Sequence, residues 1–286
     1  MWADTLSVIL RTLSFIALFQ AAGIAIFLSL WAAELKVTEA RLRRLALLSS
    51  VSAALLLIGQ YLLEAARMSG ELSGVMDPVL QGVVLHSATS LALSWRLLGL
   101  LLMGIGLRLR GSGGATLGMI GVATLLTAFT FTGHTSDHAP RWLLSPLLLA
   151  HLLIIAFWFG ALLPLYLISQ REPAPVADRI VDAFSARAVW LVPGILLAGL
   201  ALATFLLPSW GTLFTPYGEL LIVKVIGFSG LMILAAFNKW RFGPALERGD
   251  VGAGRRFRRS LLAECGLITA ILCVTAVLTT FYSPEG

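Results

Sequence analysis

The hydrophobic positions along this chain come in long unbroken runs, not in amphipathic stripes. They fall at about 6–33, 45–66, 83–107, 115–133, 143–168, 188–207, 218–237 and 260–281. Crossing about 30 Å of hydrocarbon takes roughly 20 apolar residues, which is close to the length of each run. Polar and turn-forming residues separate them, as at Gly111-Ser112-Gly113-Gly114 and Glu172-Pro173-Ala174-Pro175. A backbone in lipid must satisfy its own hydrogen bonds, so these runs predict helices. A membrane barrel would need alternating segments of about ten residues, and the chain has none of that pattern. The expectation is an all-α polytopic bundle of about eight transmembrane helices, one membrane domain over residues 1–286. The less apolar segment 68–82, with Gly70, Gly74 and Pro78, reads as a loop with a short interfacial helix.

Composition agrees. The chain is 58% hydrophobic and 13% charged, where a soluble domain carries about 25% charged residues. Its net charge of +6 is no sign of nucleic-acid binding, because the basic residues sit in short loops between apolar runs. Sixteen of the 21 Lys and Arg residues follow the odd-numbered runs, from Lys36 to Arg259, and three lie at the opposite ends. The positive-inside rule makes the first side cytoplasmic and both termini extracytoplasmic. The N-terminus lacks the basic, short-core pattern of a cleaved signal and reads as a retained first span. Cys265 and Cys273 fall in one apolar run and read as inert buried thiols. A phosphate-binding loop, a nucleophile elbow and an HExxH motif are all missing, so no catalytic residue is expected and the chain does not read as an enzyme.

Topology sorts the candidate chemistry. His86, His134, His138 and His151 all fall in the extracytoplasmic third. His134 and His138 are four apart, with Asp137 between them, and would share a helical face. Pro140 and Pro146 predict that the chain turns back there, bringing His151 near His134. Imidazoles with a carboxylate suit copper, zinc, nickel or iron. Each histidine alone reads equally as an interfacial residue that snorkels or caps a helix. Bis-imidazole haem b ligation by His134 with His151, or by His86 with either, is the alternative.

Charges inside spans are costly and should face partners. Arg96 and Lys224 are therefore expected to pair with Glu64, Glu219 or a bound anion. They would form either a polar pathway or a structural ion pair. Glu264 is a further ionisable group near the cytoplasmic start of the last span. Gln20 and Gln60 are expected to hydrogen-bond between helices. In Trp158-Phe159-Gly160, the glycine predicts a close helix approach, and Pro164 a kink or helix end.

Several of these residues together resemble the copper resistance protein D (CopD) family of bacterial inner-membrane proteins. They are Trp95-Arg96, Gly133-His134, His151 with Trp158, Gly160 and Pro164, Phe184-Ser185, Thr215-Pro216-Tyr217-Gly218 with Lys224, Asn238, Pro244, Arg259-Ser260, Glu264 and Thr275. The likeness covers about residues 90–286. The first two spans match in length and character only, and Ala161 stands where the family often has a second glycine. The resemblance implies a multi-pass inner-membrane protein that binds copper and passes it toward the cytoplasm. It also implies a periplasmic copper-binding partner of the copper resistance C type. His134 and His151 match the family's histidines, while His86, His138 and Asp137 are added from side and spacing. Arg96, Glu64, Glu219, Lys224 and Trp158 are expected to line the pathway beneath. A copper-binding sensor or assembly factor that moves no metal is the remaining alternative.

Overall fold

The computed structural model describes residues 2–132, 141–207 and 209–282. Every element among them is helical. Helix α1 spans Trp2–Trp31 and α2 Glu39–Ser69. The short helix α3, Pro78–Leu85, starts with Asp77 accepting hydrogen bonds from the N–H groups of Val79 and Leu80. Then come α4 (Ala88–Arg108), α5 (Gly111–Thr127), α6 (Arg141–Arg171), α7 (Ala174–Leu191) and α8 (Pro193–Leu206). Helix α9 spans Pro216–Phe237 and runs through a π turn, Asn238–Phe242, into α10 (Gly243–Glu247). Helix α11 is Ala253–Phe281. Eight units are long and apolar enough to cross a membrane, with α7–α8 and α9–α10 each acting as one. The protein is an all-α, eight-span membrane bundle. An even number of spans puts both ends on one face, called here the terminal face. The opposite face, whose connections carry most of the Lys and Arg residues, is the basic face.

Helix α6 runs through Pro146 and Pro164. Pro146 does not break the helix, and of the two outcomes expected at Pro164, a kink or an end, the end does not occur. Each proline removes one backbone hydrogen bond, but neighbouring helices in a bundle let such sites persist. The sixth span also begins earlier than hydropathy suggests, at Ala174 rather than near 188. Val176, Ala177, Ile180, Val181 and Phe184 are buried at helical spacing, and the polar residues between them mask that face from a hydropathy reading.

Helix α1 sits at the centre and contacts α2, α5, α6 and α11. Its small residues Ala21, Ala22 and Gly23 let backbones approach. A Cβ at Gly23 would overlap the Ala156 carbonyl oxygen and the Gly160 Cα of α6. The expected close approach at Gly160 is thus made against Gly23. Gly99 and Gly106 of α4 meet α5 in the same way, at Gly121 and Gly118. Without a hydrophobic drive between helices in lipid, such contacts and interhelical hydrogen bonds hold the bundle. Both expected glutamines contribute. Gln20 Nε2 donates to the Gly160 carbonyl at 3.3 Å, and Gln60 Nε2 donates to the Leu10 carbonyl at 2.9 Å and Ser14 Oγ at 2.7 Å.

On the basic face, Glu172 fastens the α6–α7 corner to the start of α2. Its carboxylate accepts from the N–H groups of Lys36, Val37 and Thr38 at 3.2, 2.9 and 2.7 Å, and from the Thr38 hydroxyl at 2.7 Å. Burial pushes this carboxyl up, but the Thr38 hydroxyl and the three N–H groups outweigh it and leave it below its ordinary 4.5. A lowered folded value means the stabilisation is complete above pH 4.5 and is lost as pH falls through that lowered value. Glu172→Gln should cost about 2 kcal/mol, within the range for charged hydrogen bonds. Thermal unfolding in detergent should show a constant gap between variant and wild type above pH 4.5 and a shrinking gap below it.

Candidate functional site

The terminal-face half of the bundle holds a partly open chamber of about 860 Å³, walled by α1, α2, α4, α6, α8, α9 and α11. Its lining is mostly aliphatic and aromatic. Into it project Arg11, Gln60, Glu64, Arg96, His151 and Lys224. The basic-face half holds a second cavity of about 530 Å³, lined by Asp182, Ser185, Asn238, Lys239 and Glu264 among apolar neighbours. Trp158 lines both.

His151 lies two to three turns into α6. Its Nδ1 is 3.0 Å from the Ile195 carbonyl at the start of α8. A carbonyl can only accept, so Nδ1 carries the proton and the Nε2 lone pair is left for a ligand. Metal-ligating histidines are commonly oriented by such a bond. His86 stands apart: it is exposed at the end of α3, its Nδ1 bonded to the Gly82 carbonyl at 2.8 Å, and is not among the chamber's lining residues. His134, Asp137 and His138 lie outside the described residues. Among the described residues, no three of His, Cys, Asp and Glu gather as a metal cluster.

The expected ion pairs for Arg96 and Lys224 do not form. Glu64 is bound instead by Arg67 at 3.3 Å, and Arg67 also reaches Asp4 at 3.4 Å. Glu219 is exposed in the first turn of α9 and lies outside the chamber lining. The reason is geometric: Glu64 and Glu219 sit close enough to the helix ends for other partners or water, and such exposure costs a carboxylate less than burial. Arg96 places its guanidinium 4.4 Å from the centre of the Phe129 ring.

The floor of the chamber is the indole of Trp158, only 3% exposed. Phe228 meets it edge-on at 6.2 Å. Its Nε1–H donates to one oxygen of Glu264 in α11 at 3.1 Å, and the side-chain amide of Asn238 in the π turn donates to the other. Three helices therefore fix the ring that separates the two cavities. Asn238 Oδ1 and Ser260 Oγ are buried there without a partner among the described residues. The linkage of Trp158 to Glu264 and Asn238 was not legible in the sequence, which marks Glu264 only as an intramembrane carboxylate needing a partner.

Comparison with known proteins agrees with this architecture. Residues 2–142 match the family model described as copper resistance protein D-like, N-terminal domain, so the likeness extends to the first two spans. Residues 178–278 match the model of copper resistance protein D. Copper resistance protein D of Pseudomonas syringae pv. tomato is 31% identical over 185 residues, 59% of this chain and 58% of that protein. Inner membrane protein YebZ of Escherichia coli is 26% identical over 164 residues, 56% of this chain and 53% of that protein. The chain thus spans little more than half the length of either relative. No solved structure matches it. Two models of the copper resistance protein D family thus fall on either side of the chain's middle, and with its eight spans the chain is similar to that family over most of its length.

Proposed function

We propose that this protein is a non-catalytic copper-handling protein of the bacterial inner membrane, which receives copper in the terminal-face chamber and passes it toward the basic face. The observation that carries the reading is His151, which lines the chamber and whose Nδ1–H is tied to the Ile195 carbonyl, leaving the Nε2 lone pair for a ligand. Likeness to the family and the relatives' names, one for copper resistance and one for the inner membrane, supply the metal and the compartment of this reading. The count of Lys and Arg in the connections supports a cytoplasmic basic face and a periplasmic terminal face. In that orientation the sequence order assigns His134, His138 and Asp137 to the receiving side. A soluble copper carrier of the copper resistance C type is the partner that fits a chamber facing the periplasm. Neutral imidazole binds copper without adding negative charge to the bilayer. Trp158 is the barrier the ion passes, and Glu264 and Asn238 receive it beyond.

Copper titrated into the purified protein tests this by elemental analysis and optical spectrum. Wild type should retain about one copper per chain, and His151→Ala should lose most of it, since removing one ligand leaves too few to hold the ion. A Soret band in the freshly purified protein would instead favour haem b at His151. Equal copper in wild type and variant would remove His151 from the site.

A further inference from the structure

The chamber is lined by three basic side chains, Arg11, Arg96 and Lys224, against one carboxylate, Glu64. Glu64 is already engaged by Arg67. Arg11 donates to the Thr279 carbonyl at 2.7 Å and its hydroxyl at 3.2 Å, both neutral. Arg96 rests on Phe129, and its Nε is shut off from solvent without a hydrogen-bond partner among the described residues. Neither Arg96 nor Lys224 has an ion-pair partner among those residues. Charge inside a span costs about 3 kcal/mol or more when unpaired. Arg11 and Arg96 also repel one another, and apolar walls screen such repulsion less than bulk water does. A largely apolar chamber with unpaired cations in its wall is built for a negative ligand.

We propose that the chamber binds an oxyanion group, a carboxylate or phosphate, held by Arg96 and Lys224. The guanidinium fork of Arg96 suits either group, and Lys224 adds a compact point charge. The walls favour an amphiphile as its source. Leu93, Phe129, Leu148, Leu196 and Leu221 offer an apolar bed beside the cations. A volume near 860 Å³ lies within the roughly 300–1,000 Å³ range of small-molecule sites. This site stands on charge and cavity alone and does not rest on the copper reading. It does bear on copper: a bound anion offsets the charge that would otherwise repel a metal cation from His151.

Isothermal titration of delipidated wild type in neutral detergent tests the proposal with three probes: dodecyl phosphate, inorganic phosphate and dodecanol. Dodecyl phosphate should bind at least about tenfold tighter than inorganic phosphate, and dodecanol should not bind. Arg96→Gln and Lys224→Gln should each weaken dodecyl phosphate by about tenfold or more, the loss expected when one partner of a desolvated charge pair is removed. Arg179→Gln, which loses only its pair with Glu34 outside the chamber, should bind like wild type. Inorganic phosphate binding as tightly as dodecyl phosphate would keep the oxyanion site and assign it to a free anion. Equal binding of dodecanol and dodecyl phosphate would overturn the proposal, and so would failure of wild type to bind either anion. The latter result would mean that the chain supplies its own negative partner, with Asp137 the candidate in the sequence.

Discussion

Gly23→Leu should leave no folded bundle to purify. The new side chain would occupy space now held by the Ala156 carbonyl oxygen and the Gly160 Cα. Both are backbone, so neither can turn aside, and α1 and α6 would have to separate. Helix α1 also contacts α2, α5 and α11, so its displacement reaches most of the core. Overpacking a core costs about 1–3 kcal/mol where side chains can yield. Against backbone the cost should exceed about 4 kcal/mol, at the extreme of single substitutions. Gly59→Leu is the matching control. A Cβ there has its nearest neighbour at 3.8 Å, the flexible Leu10 Cδ1. Size-exclusion profiles in mild detergent should show aggregate for the first variant and a wild-type peak for the second.

Trp158→Ala should join the two cavities and destabilise the protein. Removing a buried indole costs about 3–5 kcal/mol through lost contacts and the void left behind. Here the void also leaves one oxygen of Glu264 without its donor. Trp158→Phe goes most of the way to separating the two effects, because it keeps a six-membered ring near Phe228 while losing the N–H and a smaller part of the ring volume. Its cost should be about 1–3 kcal/mol, the penalty of one unsatisfied buried acceptor. Thermal unfolding should rank the variants wild type, Phe, Ala in falling order. In proteoliposomes the Ala variant should leak small ions that wild type and the Phe variant retain. Wild-type tightness in all three would show that Trp158 does not divide the cavities.

The spans were legible because lipid imposes a long apolar run on every helix that crosses it. The boundaries were less so. Residues 174–187 hide a buried face behind Asp178, Arg179 and Asp182, and Pro164 lies inside a helix that continues past it. The close approach at Gly160 could be anticipated from its residue type, but not that Gly23 would be its partner, since contact between α1 and α6 is a property of the fold. At the site, the sequence marked Arg96, Lys224, Glu64 and Trp158, which do line the chamber. It misplaced Glu219 and assigned ion pairs that do not form. Hydropathy places a residue by depth and says nothing of the direction it faces. That is why His86 and His151, both near the terminal face, end in different surroundings. The link from Trp158 to Glu264 and Asn238 joins residues up to 106 positions apart and needs three helices in place before it exists.

Copper uptake into proteoliposomes tests the central claim most directly. Vesicles carrying wild type should accumulate copper added outside, and vesicles carrying folded His151→Ala at the same density should stay at the level of protein-free vesicles. Equal uptake by wild type and His151→Ala, or no uptake by wild type above protein-free vesicles, would contradict the account.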